Sequence, residues 1–235
     1  MAKKVKGTVW TEVEDALDGI IDEYERVNHF ISFFQDERSR ILGLGMLSPL
    51  SGVGLELGTG PGNFTSKILK NLNGSLIGLD YSEKMLDKAR RNIKTENLNF
   101  IRGVFEHIPI KAVSLNFVVA SFALRDSRDK RKTLEEIREA LRTDGGRLLV
   151  IDIGKPDNPI IEKFLHIYMR CLVPIIGGII GRRPYRNPWR MLFETYLELP
   201  SNRQLFRMVE KHFSSTVMKE IALGGLLVFT AIKEF

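Results

Sequence analysis

Apolar and polar positions along the chain follow two periods. Charged and apolar residues mix at helical spacing over 11 to 28 and again over 35 to 47, stopping at the turn-like SPLSG. Together they predict an N-terminal helical cap over residues 1 to 50. Short apolar runs then alternate with amphipathic stretches: a strand at VGLEL (53 to 57), a helix over 62 to 72, a strand at SLIGLD (75 to 80), a helix from Ser82 and a strand at LNFIRG (98 to 103). Ser82 is suited to cap that helix, because Met85, Leu86 and Ala89 follow at helical spacing. LNFVVAS (115 to 121), an amphipathic helix over 128 to 142, the turn TDGG and the strand RLLVIDI (147 to 153) continue the alternation. Five strands with four helical crossovers imply a right-handed, mostly parallel, doubly wound α/β sheet. Residues 155 to 200 break the pattern with a proline-punctuated helical segment, read as a lid. A helix over 201 to 213 and the apolar runs STVMKEIA and GLLVFTAI close the chain as a β-hairpin. The whole, 1 to 235, reads as one domain with its core over 51 to 154.

Composition adds limits. With 43% hydrophobic residues the chain can bury a full core, and a formal charge of +6 is compatible with an anionic partner without naming one. Cys171 is the single cysteine, and the four histidines show no metal-ligand spacing, so neither disulfide nor metal is expected. The opening MAKKVKGTVW lacks the apolar core of a secretion signal, which makes the cytoplasm the expected location. Residues 160 to 181 are the most apolar. Glu162, Lys163 and Arg170 interrupt them and leave about eleven uninterrupted positions, against about 20 for a spanning helix, so no bilayer crossing is expected.

The chemistry concentrates in GLELGTGPGNF, residues 54 to 64, a glycine loop after the first strand, where ligands of doubly wound sheets bind. The dinucleotide fingerprint G-x-G-x-x-G/A fails at its third position, Asn63. Glu56, two residues before Gly58, would repel a pyrophosphate but suits a ligand carrying an ammonium or sulfonium group. Asp80, ending the second strand, is placed for ribose hydroxyls. The plainer reading is that Gly58, Gly60 and Gly62 only make a tight turn and that Asp80 only caps the next helix.

The loop resembles the first motif of Rossmann-like methyltransferases that use S-adenosylmethionine (SAM). FEHIPI (105 to 110), SFALRD (121 to 126), residues 134 to 156, YMRCLVPIIGGIIG with PWRMLFETYLELPS, and the N-terminal YERVNHFISFFQDERSR together resemble the ubiquinone/menaquinone C-methyltransferase family of the UbiE type over nearly the whole chain. The resemblance implies a seven-stranded sheet whose last strand inserts antiparallel beside the fifth. It implies SAM as cofactor without a metal, and C-methylation of a prenylated hydroquinone such as demethylmenaquinol. The cofactor residues it suggests are Glu56, Gly58, Thr59, Gly60, Gly62, Asp80, Tyr81, Val104, Phe105, Glu106 and Ser121, with His107 on the adenine side.

An unperturbed phenol has a pKa of about 10, so a group must favour the phenolate. Arg125 is the candidate, with Tyr24 as a hydrogen-bond donor to the ring oxygen; against this stands an Arg125 neutralised by Asp126 or Asp129. Asp126 stands where the family usually has Asn and is a candidate base. Val104 stands where Asp or Asn often accepts from the adenine amino group, a loss worth about tenfold in affinity. His29 and His166 are minor candidates for proton transfer. The apolar residues of 158 to 196, with Arg182, Arg183, Arg186 and Arg190, suit either a prenyl tunnel and peripheral membrane contact or a lid packed on the core. A homodimer fits the expectations as well. An RNA substrate is disfavoured by the absence of an appended RNA-binding domain. A small-molecule O- or N-methyltransferase and a non-catalytic SAM-binding protein stay open.

Overall fold

The structure, a computed structural model, describes residues 23–182 and 188–234. The start of the helix expected over 11 to 28 falls outside them, as do the side chain of Tyr24 and the residues Arg183 and Arg186. The described cap comprises α1 (Tyr24–Ile31) and α2 (Gln35–Leu47). The core follows as β1 (Leu50–Leu57), α3 (Asn63–Lys70), β2 (Leu72–Asp80), α4 (Glu83–Asn92), β3 (Leu98–Arg102), β4 (Phe117–Ser121), α5 (Lys130–Ala140) and β5 (Asp144–Ile153). Ser82 caps α4, its hydroxyl accepting from Met85 N–H at 3.2 Å, as its position before an apolar helical stripe requires.

The seven strands form one sheet in the order β3-β2-β1-β4-β5-β7-β6, where β6 is Ser214–Ile221 and β7 is Leu226–Glu234. β1 to β5 are parallel, and β7 lies antiparallel between β5 and β6, as expected. The expectation of four helical crossovers is corrected to three. Residues 103 to 116 join β3 to β4 through turns and isolated bridges. Pro109 sits in the middle of this segment, where it removes a backbone donor and leaves too few residues on either side for a packed helix.

The central strands are buried on both faces, with Val118, Val119, Leu148, Leu149 and Val150 fully inaccessible. One face packs against Leu134 and Ile137 of α5 and against Leu205 and Val209 of α9 (Asn202–Glu210). The other face packs against Leu47 of α2 and Phe64 and Ile68 of α3. A third cluster, with Val27, Met169, Val173, Trp189 and Tyr196 at its centre, joins α1 to the lid over the carboxyl ends of the strands.

The lid contains α6 (Pro159–Ile167), a π-helical turn (Tyr168–Leu172), α7 (Val173–Ile180) and α8 (Met191–Leu197). Its first three parts run on as one helix of 22 residues, Pro159–Ile180, apolar and long enough to cross a bilayer by length and composition. The apolar-run count thus underestimates this helix, because Glu162, Lys163 and Arg170 are spread over its turns without ending it. The wide turn precedes Pro174, which lacks an N–H and whose ring would crowd the carbonyl four residues back. Trp189 packs directly on α7 at Gly177, where any Cβ would overlap the indole ring. The opposite face of the helix is apolar and exposed: Ile160, Phe164, Ile167, Ile175 and Ile179 all point outward.

Candidate functional site

The site lies where strand order reverses, at the carboxyl ends of β1 and β4. After β1 the chain turns through Gly58, Gly60 and Gly62 at φ of 70°, 54° and 91°, a region open to glycine at no steric cost. A Cβ on Gly58 would meet that of Ala123 at 2.5 Å, so the loop packs on the loop after β4. Gly58 and Thr59 N–H donate to Leu79 O at 2.8 and 3.1 Å, and Gly60 N–H donates to Asp80 Oδ2 at 2.8 Å. Asp80 Oδ1 accepts from Ser82 N–H at 2.9 Å. One carboxylate therefore ties the loops after β1 and β2 together and also steadies the start of α4.

Glu56 is buried at the end of β1. Its Oε2 accepts from Thr65 Oγ1 at 2.6 Å and Thr59 Oγ1 at 3.0 Å. Burial dominates over these hydroxyls and the nearby Arg40, and pushes its pKa up to about 7. A buried carboxyl poised between charged and neutral is stabilised as the anion by any cation that enters beside it.

A cleft of about 470 Å³ opens over these loops. Of the residues expected at a cofactor, Glu56, Gly58, Thr59, Gly60, Asp80, Tyr81, Val104, Phe105, Glu106 and Ser121 all line it. Gly62 does not: it stands at the start of α3 and turns its α-carbon toward Ala89 and Ile93 at the end of α4. His107 is exposed and outside the lining as well, because its main chain bridges back to Val104 and carries the ring outward. Glu106 is engaged by its own chain, its Oε1 accepting from Ser127 Oγ and from Arg128 and Asp129 N–H. Tyr81 is exposed, with the Arg102 guanidinium 5.5 Å above its ring.

A second cavity of about 220 Å³ lies under the lid. Leu165, Met169, Val173, Leu192, Ile153 and Leu226 make most of its wall, while Arg125, Asp36, Ser32 and Asn28 supply polar groups. Phe122 lines both cavities and so forms their partition. It holds φ 56°, unusual for a bulky residue, with the guanidinium carbons of Arg40 and Arg125 5.6 and 6.0 Å from its ring.

Arg125 is buried at the second cavity and paired with Asp152 at the end of β5, Nη1 to Oδ1 at 3.2 Å. Asp126 sits 3.5 Å from its Nε, while Asp129 caps α5 through Arg131 and Lys132 N–H. Of the two expected neutralising partners Asp126 does pair with Arg125 while Asp129 is engaged elsewhere, and Asp152, closer than Asp126, is a partner the sequence did not reveal. Asp126 faces the cofactor-sized cleft with its side chain 21% exposed, and desolvation there, opposed by Arg125, pushes its pKa up to about 6. Arg125 and Asp126 are therefore brought to adjoining cavities on either side of Phe122. His166 stacks edge-on against Phe193 and lines neither cavity. His29 Nδ1 lies 2.6 Å from Asp36 Oδ2, so it meets the second cavity through Asp36.

Sequence reading missed Thr65, Arg40, Phe122 and Asp152. Thr65 and Asp152 carry a weak signal, a polar residue on the apolar stripe of a helix and a charge inside the apolar run LLVIDI. Arg40 and Phe122 carry none, because their positions depend on tertiary packing. Among the described residues no three His, Cys, Asp or Glu side chains gather as a metal site.

A family model, the ubiE/COQ5 methyltransferase family, matches residues 3–233. Demethylmenaquinone methyltransferase of Lactococcus lactis is 28% identical over 202 residues, covering 83% of this chain and 80% of that protein. The protein of the same name from Staphylococcus saprophyticus is 26% identical, covering 92% and 93%. The ubiquinone/menaquinone biosynthesis C-methyltransferase UbiE of Wigglesworthia glossinidia brevipalpis is 26% identical, covering 95% and 91%. Among solved structures, a SAM-dependent methyltransferase from Thermotoga maritima superposes with a TM-score of 0.65 at 19% identity, over 94% of this chain and 100% of that one. Phosphoethanolamine N-methyltransferase 2 of Haemonchus contortus, in complex with SAM, gives 0.64 at 14% identity, over 84% and 53%. These last two likenesses are of fold.

Proposed function

Because the chain belongs to the ubiE/COQ5 methyltransferase family and is a SAM-dependent C-methyltransferase of quinone biosynthesis, we propose that its acceptor is a prenylated hydroquinone of the demethylmenaquinol type, bound in the cavity under the lid. The observation that carries this reading is the partition by Phe122. A mostly apolar cavity with a few polar groups adjoins the larger cleft across one side chain, which suits a ring with hydroxyls at one end and a hydrocarbon tail at the other.

In the larger cleft Glu56, Asp80, Thr59, Gly58 and Gly60 are the residues assigned to hold SAM, with Tyr81, Val104, Phe105 and Ser121 completing its walls. The fit rests on chemistry: a buried, half-titrated carboxyl favours an adjoining ammonium or sulfonium, and Asp80 at the end of β2 faces the same space. When bound, SAM supplies a methyl group on a positively charged sulfur. The chain's task is to bring the acceptor carbon in line with it, exclude water and favour the acceptor's phenolate. Arg125, fixed by Asp152, is assigned to the phenolate oxygen and Asp126 to the proton.

Peripheral membrane contact belongs to the same reading. Phe33 lines the second cavity, is 68% exposed and packs its ring near that of Tyr168 on the lid helix, whose Phe164, Ile167 and Ile175 are exposed as well. Exposed Arg182 and Arg190 follow that row and suit anionic headgroups.

Purified protein, methyl-labelled SAM and demethylmenaquinol in mixed micelles provide the test. Label on a ring carbon, dependent on prior reduction of the quinone, supports the proposal. Label on oxygen, or equal transfer to the oxidised quinone, overturns it.

A further inference from the structure

Arg40 is an arginine that the fold buries without a complete set of partners. It lies on α2, and its guanidinium is stacked against Phe64 and Phe122, 5.6 Å from each ring centroid. Nε donates to Ser121 Oγ at 3.3 Å, while Nη1 is inaccessible to solvent and makes no hydrogen bond. The Glu25 carboxylate stands off from Nη1 at 3.6 Å and is itself a third exposed. A charged donor left in this state costs free energy unless something else completes it. The side chain is 8% exposed and lines the cofactor cleft.

Its place within the cleft narrows what that something is. Four cationic side chains line the cleft among the described residues: Arg40, Lys84, Arg102 and Arg128. Lys84 and Arg102 stand with Asp80 and Tyr81 beyond β2, and Arg128 stands on the loop held by Glu106. Of the four, Arg40 is the one at the Glu56 end, between Ser121 and Phe64, and close enough to favour ionised Glu56. That end therefore offers one buried acid and one buried base side by side, complementary to a zwitterion.

We propose that Arg40 binds the α-carboxylate of the methionine part of SAM, while Glu56 faces its α-ammonium. Two aromatic rings with centroids 5.6 Å from the guanidinium carbon restrict the side chain, so that its donors address one carboxylate with little further ordering. The two assignments also support each other electrostatically, since each charge of the ligand meets the opposite charge of the protein. This inference rests on the cofactor reading and is independent of the acceptor.

Binding to the intact protein by calorimetry tests it, with two ligands that differ only in the group concerned: SAM and decarboxylated SAM, which keeps the amine and the sulfonium. Wild type should prefer SAM. Arg40→Met should weaken SAM by at least about 30-fold, as for loss of a buried charge-assisted contact, and leave decarboxylated SAM within about threefold. Arg40→Lys should recover part of the loss. An equal fall for both ligands would show a structural role in the Phe64–Phe122 stack and overturn the proposal, as would unchanged SAM affinity in Arg40→Met. Absence of binding of either ligand to wild type would overturn the cofactor reading as well, and an acceptor other than a hydroquinone would affect none of these outcomes.

Discussion

The main-chain N–H of Arg125 donates to Asp152 Oδ2 at 2.8 Å while its Nη1 reaches Oδ1 of the same carboxylate at 3.2 Å. One side chain at the end of β5 thus holds both the backbone and the guanidinium of the loop that follows β4. The pair is buried, with 2% and 3% of the two side chains exposed, so removing the Asp152 charge takes the closer of two carboxylates from a buried guanidinium and leaves Asp126 at 3.5 Å. Asp152→Asn should destabilise the protein by about 3 kcal/mol in urea unfolding. It should also lower turnover with the hydroquinone far more than SAM affinity, because the guanidinium loses the closer of the two carboxylates that direct it. Equal stability of the variant would remove Asp152 from this role.

With Glu56 assigned to the ammonium end of SAM, binding should depend on pH. With its pKa at about 7 in the empty cleft, the group carries a proton through the acid range, and a ligand ammonium demands the anion. Below pH 7 a proton must therefore leave on binding, and affinity falls as pH falls. From pH 8 to pH 6 the dissociation constant should rise about tenfold. Glu56→Gln should bind SAM more weakly at pH 8 and lose most of this slope. The sign for stability is opposite: the raised pKa gives a contribution that is full below the unfolded value of 4.5 and is lost as pH rises through about 7. Cofactor-free Glu56→Gln should then be more stable than wild type at pH 8, by about 3 kcal/mol. Calorimetry of binding and thermal unfolding at several pH values check the two halves separately.

The contrast between Glu56 and Arg40 shows what the sequence makes legible. Glu56 stands at a fixed offset from a glycine loop on the first strand, and periodicity alone locates that strand, so a local pattern reaches the residue. Arg40 is 16 residues earlier on a helix whose charged and apolar positions do not mark an inward face, and only the docking of α2 on Phe64 and Phe122 brings it to the cleft. The same distinction explains the fold. β4 and β5 read directly as apolar runs, whereas the helix expected between β3 and β4 is absent because the count of crossovers came from the βαβ rule rather than from residues 103 to 116. In the lid, periodicity indicates helix but the two apolar faces look alike in sequence. Leu165 and Val173 turn to the cavity and Phe164 and Ile175 outward through packing against α1 and Trp189.

Val104 offers a gain-of-affinity test. It lies in the cleft with 38% of its surface exposed, and it has no side-chain acceptor for the adenine amino group assigned to that wall. Val104→Asp should tighten SAM about tenfold by adding one hydrogen bond to a charged acceptor. Nearby Glu106 does not oppose this strongly, since its carboxylate is already engaged by three donors from the loop after β4. S-inosylmethionine, with a carbonyl in place of the amino group, should gain nothing from the substitution. Equal tightening of both ligands would place the adenine elsewhere.

The outward row of the lid helix predicts how the enzyme meets its acceptor. Phe164 and Ile175 are 71% and 56% exposed, so replacing both by serine should leave folding stability within about 0.5 kcal/mol per site. On a bilayer the same two side chains leave water together, and each is worth about 1.5 kcal/mol or more when fully buried. Partition of the double variant into vesicles containing phosphatidylglycerol should therefore fall by about tenfold or more in co-sedimentation. Methylation of a long-chain hydroquinone presented in those vesicles should fall in parallel, while kcat/KM for a water-soluble short-chain analogue stays at the wild-type value. Those two assays separate delivery from chemistry. If the variant lost activity on the soluble analogue as well, the row would be a wall of the acceptor cavity; if it kept full vesicle binding, the lid's exposed face would have no part in reaching the lipid.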